Sequence, residues 1–195
     1  DSMEKIMCII IYSKNKKPIP TENLERAYKA NPDGAGVAFV RKGRVYVGKS
    51  VKPEEIKKFI SNYNIAGALF HFRIKTHGSI KKENCHPFTV LSKDAGDPID
   101  LVMMHNGILS FTEEMRGKGD DRTDSEIFAI EYLRPMLLKN PDLLYTPAFI
   151  SMLESLSGYS KLAFLDSKGR TLIINEKKGE ERNGTWYSNK SAFKP

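Results

Sequence analysis

The chain has little sulfur with which to cross-link itself: two cysteines in 195 residues. That excludes a disulfide framework and makes a reducing compartment the default. No apolar run approaches the ~20 residues that a membrane span needs, so no membrane contact is expected. Asp1 to Ile6 carry no basic stretch ahead of a long apolar one. A secretory leader is therefore not expected, and a cytoplasmic setting is. Repeats, low-complexity tracts and internal linkers are missing too. The length suits one domain, 1–195, with a full core. Cys-x-x-Cys and His-x-x-x-His spacings are also absent. His71, His77, Cys85, His86 and His105 are thus not read as a metal site, and no cofactor is expected.

What is present is a basic balance, with a net charge of +7. Lys14, Lys16 and Lys17, Arg41, Lys42 and Arg44, and Lys81 and Lys82 form short clusters with acidic residues interspersed. Such scattered charge reads as a solvated surface rather than a nucleic-acid site. Any attraction to nucleic acid would fall steeply with salt.

Cys8 to Tyr12 is a β-branched run too short for a helix and predicts a buried strand. Thr21, as N-cap, is expected to open a helix to Ala30. Gly36–Val40 and Arg44–Val47 predict a hairpin around Lys42-Gly43. Pro53 to Tyr63 predicts a helix with proline in its first turn. Strands are expected at Ala66–Ile74, Phe88–Leu91 and Asp100–Met104. A capping box, Thr123 to Glu126, opens a long helix that runs to about Leu138 through Pro135, which should end or bend it. A further helix, Pro147–Leu156, precedes strands at Lys161–Leu165, Thr171–Asn175 and Thr185–Tyr187. Strands, then two helices, then strands imply an α+β protein of mostly antiparallel sheet.

Four separated stretches carry chemistry. Cys8 heads a buried strand and offers a thiol, a strong nucleophile as thiolate. On its own it reads equally as a small core hydrophobe. Asn106 and Gly107 follow an apolar run; a side-chain amide and a glycine N–H can together face an oxyanion, or simply close a turn. Arg73 can clamp a carboxylate bidentately, with Thr76 and His77 as neighbouring donors. Asp124 can take an ammonium, or merely match a helix dipole. Together they suit gripping a free amino acid and attacking its side-chain amide.

The motifs also come in a recognisable order. Met7-Cys8 is followed by Asp33-Gly34-Ala35-Gly36, then His71 to Gly78 in the pattern His-x-Arg-x-x-Thr-x-Gly. Asn84-Cys85-His86-Pro87-Phe88, His105-Asn106-Gly107 and Thr123-Asp124-Ser125-Glu126 complete the series. In this the chain resembles a class II glutamine amidotransferase (glutaminase) domain of the N-terminal nucleophile hydrolase type, over nearly its whole length. The resemblance implies a four-layer αββα sandwich and attack on the glutamine amide through a γ-glutamyl thioester. It implies Cys8 as nucleophile and, once N-terminal, supplier of its own amine base. It implies Asn106 and Gly107 as the oxyanion hole. Arg73, Thr76 and His77 would then hold the α-carboxylate, and Asp124 the α-amine. The released ammonia would pass to a synthase or ligase partner.

Seven residues precede Cys8, so its nitrogen lies in a peptide bond. They read as a tag, an alternative start or a propeptide. The alternative reading is a catalytically silent binding protein on the same fold.

Overall fold

The computed structural model describes residues 7–15, 17–75 and 78–193. Ten strands occur among them: β1 (Ile9–Ser13), β2 (Ala35–Arg41), β3 (Arg44–Ser50), β4 (Leu69–Phe72), β5 (Phe88–Leu91), β6 (Leu101–Asn106), β7 (Lys161–Asp166), β8 (Thr171–Ile174), β9 (Glu180–Arg182) and β10 (Thr185–Tyr187). They form two sheets, β3-β2-β4-β1-β10-β9 and β5-β6-β7-β8. Every pairing is antiparallel.

The two-residue strand period explains the layering. In β1, Ile9 and Ile11 pack with Leu24, Ala27, Ile56 and Ile60 of the helices α1 (Thr21–Ala30) and α2 (Pro53–Asn62). Ile10, facing the other way, packs with Leu69 and Trp186 against Val102, Met104, Ala163 and Leu165 of the second sheet. In β6, Leu101 and Met103 face Phe128, Leu133 and Leu153 of a second helical layer. Both faces of β1 and β6 are therefore buried, which is why these strands read as unbroken apolar runs. Each such side chain contributes about 1.5–3 kcal/mol of burial. The result is the expected α+β stack of helices, sheet, sheet and helices.

Several local expectations change. Pro20, not Thr21, is the N-cap of α1, and Thr21 takes the first helical position. β4 is shorter than the run 66–74, because Gly67 turns at φ +76° just before it. Pro135 does not end its helix. α3 (Asp124–Ile127), a π-helical stretch (Phe128–Leu133) and α4 (Arg134–Leu137) run on as one rod. The wider π turn carries the chain through Pro135, whose ring then lies in the first turn of α4. Asn175 leaves β8 in a left-handed conformation, φ +59°. β9 was not legible at all: it is a short polar edge strand held by its backbone pairing to β10. The last helix, α5 (Pro147–Ser157), lies where expected, capped by Thr146. Among the described residues no helix is long and apolar enough to cross a membrane.

Candidate active site

The site follows from strand register. Ile9 of β1 pairs with Phe72 of β4. The next antiparallel step sets Cys8 opposite Arg73, just beyond the paired ends of the two strands. Cys8 and Arg73 share the side-chain direction of Ile10 and His71, towards the second sheet. On that sheet β6 ends at Asn106, so Gly107 arrives at the same level. A small cleft is lined there by Cys8, Arg73, Ile74, His86, His105, Gly107, Thr123, Asp124 and Ser125.

Cys8 is half-buried. Its Sγ–H donates to the Ile74 carbonyl at 3.4 Å. Its own carbonyl accepts from Asn189 Nδ2 at 2.7 Å. Burial pushes the thiol up to about 11, against the opposing pull of the Arg73 charge. Sulfur here is a thiol at neutral pH, so attack by it needs a base.

Arg73 is 3% exposed, which rules out a plain surface cation. Its N–H donates to the Gly34 carbonyl at 2.8 Å, and its carbonyl accepts from Asp33 N. Its Nη1 donates to the Ser79 carbonyl at 3.0 Å. The neighbouring turn is tied down as well. Ser79 N and Oγ both donate to Asp121, and Asn84 Nδ2 donates to the Ser79 and Asp121 carbonyls. Thr76 and His77 lie outside the described residues.

Asp124 opens α3, where Thr123 Oγ1 caps the helix by accepting from Glu126 N at 3.2 Å. At 7% exposure it is nearly enclosed. Oδ2 accepts from Leu109 N, and Oδ1 accepts from Ser125 N and Oγ. A carboxylate offers about four lone-pair sites, so one more donor fits.

Asn106 ends β6 directly before Gly107, just behind the lining residues of the cleft. It is 1% exposed, its Nδ2 lies 2.7 Å from Ser188 Oγ, and its Oδ1 has no partner among the described residues. Gly107 lines the cleft, at φ +143°, where a β-carbon would lie 2.1 Å from Ser160 Oγ. Only glycine fits there.

Three buried histidines cluster at the cleft, two of which, His86 and His105, line it. His71 Nε2 donates to the His105 carbonyl at 3.1 Å, and His105 Nδ1 meets Ser125 Oγ at 2.8 Å. The His86 ring lies 4.0 Å from that of His71 and 4.8 Å from Phe88, centroid to centroid. Among the described residues neither of its nitrogens has a partner. Burial drives His71 down to about 3 and holds His86 far below its usual range. All are neutral imidazoles at working pH. The segment carrying His86 packs so closely on β2 that a β-carbon at Gly36 would stand 1.7 Å from the His86 carbonyl oxygen. The Asp-Gly-x-Gly motif is thus a packing device. His86, Thr123 and Ser125 sat inside motifs read from the sequence, but had no role attached. Ser188 and Asn189 carried no sequence signal: they follow a short strand, and their importance arises from pairing with β1.

Among the described residues no group of three or more His, Cys, Asp or Glu side chains could hold a metal ion.

The family described as glutamine amidotransferases class-II matches residues 22–180 of this chain. That span contains Arg73, Asn106, Gly107 and Asp124, but not Cys8. The glutamine–fructose-6-phosphate aminotransferase (isomerizing) of Aquifex aeolicus (strain VF5) is 29% identical over 174 residues, covering 83% of this chain and 27% of that protein. Its counterpart from Chlamydia trachomatis is 29% identical over 130 residues, covering 62% and 20%. The chain therefore spans about a quarter of the length of these relatives. Among solved structures, the allosteric regulatory enzyme of purine biosynthesis superposes with a TM-score of 0.56 at 17% identity. The glutamine phosphoribosylpyrophosphate amidotransferase of B. subtilis does so at 0.50 and 15%. Each match covers 96% of this chain and 42% of the other, and at such identities the likeness is one of fold.

Proposed function

This chain belongs to the class II glutamine amidotransferases, and from that premise we propose that it hydrolyses the side-chain amide of glutamine at the Cys8 cleft. The observation that carries the reading is the β1–β4 register, which stands a thiol beside a buried guanidinium on one wall of a cleft that Gly107 and Asp124 complete.

Arg73, with Thr76 and His77, holds the glutamine α-carboxylate, and Asp124 accepts the α-ammonium at its remaining lone pair. Cys8 Sγ attacks the amide carbon, its proton passing to a base, while Asn106 and Gly107 steady the oxyanion. The C–N bond breaks, the nitrogen takes up that proton and ammonia leaves. A γ-glutamyl thioester remains, and water cleaves it to glutamate and free thiol. The base is the α-amine of Cys8, whose ordinary value of about 7.7–8.0 suits the task. Residues 1–7 must be absent for that amine to exist, so their removal belongs to the proposal. The chain from Cys8 onward acts as one glutaminase unit, and the ammonia goes to an acceptor on a partner synthase or ligase. A cytoplasmic setting belongs to the same reading, because the chemistry needs a reduced thiol.

A second reading, a silent binding protein, is favoured by the peptide bond at the Cys8 nitrogen and by the raised thiol. One experiment separates the two. Ammonia release from glutamine is measured for the full chain, for the chain beginning at Cys8, and for Cys8→Ala in each. The enzyme reading expects release that depends on Cys8. Release that survives Cys8→Ala, or no release from either form, sinks it.

A further inference from the structure

The oxyanion reading of Asn106 contains a contradiction that the tail of the chain resolves. Ser188 is fully buried and sits beside β1. Its N–H donates to the Ile10 carbonyl at 2.9 Å, and its Oγ accepts from Ile10 N–H at 2.8 Å. Asn106 Nδ2 lies 2.7 Å from the same Oγ. In that arrangement the hydroxyl accepts two donors and its own proton has no acceptor among the described residues. Asn106 Oδ1 is left buried with no partner among the described residues. The asparagine then offers only an acceptor on its free side, the wrong polarity for an oxyanion.

The two ends of an asparagine amide are assigned from hydrogen-bond logic, not from shape. With the amide turned over, Ser188 O–H donates to Asn106 Oδ1. The hydroxyl then accepts once, from Ile10, and donates once. Nδ2 moves to the free branch with its hydrogens available. Both orientations leave one amide atom unpaired, but only the turned one gives the serine proton a partner. It also leaves a donor rather than an acceptor waiting.

We propose that Ser188 is a positioning residue for glutamine hydrolysis: it grips the oxygen of the Asn106 amide and so presents the nitrogen as an oxyanion donor. This rests on the glutaminase reading above. The next residue completes a clasp. Asn189 Oδ1 accepts from Ser191 N at 2.9 Å, which fixes its amide, and its Nδ2 donates to the Cys8 carbonyl. Two consecutive residues thus tie the nucleophile's strand to the end of β6 across the sandwich. In Ser188→Ala both Ile10 N–H and Asn106 lose their partner, and the amide turns without preference.

The test is glutamine kinetics on whichever form of the chain releases ammonia. Ser188→Ala should lower kcat about 10- to 100-fold with KM within about twofold, because an oxyanion donor acts on the transition state. Ser188→Thr, which keeps the hydroxyl, should recover most of that loss. In an Asn106→Ala background, Ser188→Ala should change kcat by less than about twofold, since both act through one group. Losses that multiply, or a KM rise at unchanged kcat, overturn the proposal. Asn106→Ala at full kcat removes the oxyanion role itself, and ammonia release by Cys8→Ala removes the whole reaction; both differ from failure at Ser188 alone. Should the serine variants not fold, neutron diffraction of the full chain in D₂O decides. Deuterium on the amide atom facing away from Ser188 supports the assignment, and deuterium on the atom facing Ser188 refutes it.

Discussion

Mild acid should loosen this protein well before its carboxylates protonate. His71 and His86 are buried as neutral rings, with burial the main cause and the charges of Arg73 and Lys49 adding to it. His71 is held at about 3, against an ordinary 6.5. Below pH 6.5 the unfolded chain takes up protons that the folded core refuses, so acid favours unfolding. The loss grows until pH reaches the folded value. At pH 5, relative to pH 7.5, it amounts to about 2 kcal/mol for His71, and His86 adds a loss of the same sign. That is a large share of the about 5–15 kcal/mol that a domain typically has. His105 is also held down by burial and adds to the loss, though Asp124 opposes the shift. Asp97 and Asp100 have values lowered from 3.8, so their contribution disappears only below that pH, while Glu126, raised by burial, works against the histidine loss as pH falls. The assay is urea unfolding of the full chain at pH 7.5, 6.5, 5.5 and 5.0. His86→Phe keeps a ring against His71 and Phe88, removes two ring nitrogens and should lessen the fall. Stability flat to within about 1 kcal/mol between pH 7.5 and 5, or a His86→Phe curve parallel to the parent, would refute the reasoning.

Three further outcomes are expected. Gly36→Ala should destabilise by about 3 kcal/mol or prevent folding, since its β-carbon would meet the His86 carbonyl; a melting temperature unchanged from the parent counts against this packing. Iodoacetamide should label Cys8 of the full chain slowly at pH 8, where about a thousandth is thiolate, with the rate climbing tenfold per pH unit to pH 10; a plateau below pH 9 contradicts the raised thiol. Asp124→Ala should raise the glutamine KM about tenfold or more and also cost about 1–3 kcal/mol of stability, because Leu109 N–H loses its acceptor; a KM effect with no loss of stability would show that the carboxylate does not hold that loop.

How much was legible depends on whether a signal is local. The β2–β3 hairpin was readable because Lys42-Gly43 supplies two positive-φ positions, as a two-residue turn requires. Helix α2 was readable from Pro53 and the spacing of Ile56 and Ile60. The α3 cap was readable from Thr123 and Glu126. The helix beyond that cap was readable to about Leu138, but the π turn that carries it through Pro135 was not, because it depends on how Phe128 and Leu133 pack in the core. β9 was not, because an exposed Glu-Glu-Arg segment has no pattern of its own and exists only as a partner of β10.

The order and chemistry of the motifs, and the α+β alternation of apolar runs, are properties of the sequence alone. They suffice to name a thiol, a guanidinium, an amide, a glycine and a carboxylate as candidates. Only the folded chain could decide that Cys8 stands opposite Arg73, because that follows from pairing between strands some sixty residues apart. Only it could show that Asn106 meets Ser188 from the far end of the chain, and that three histidines cluster beneath the cleft. The physical reason is the same in each case. Propensity and capping act over a few residues, whereas register and burial are settled by which distant strands close the core.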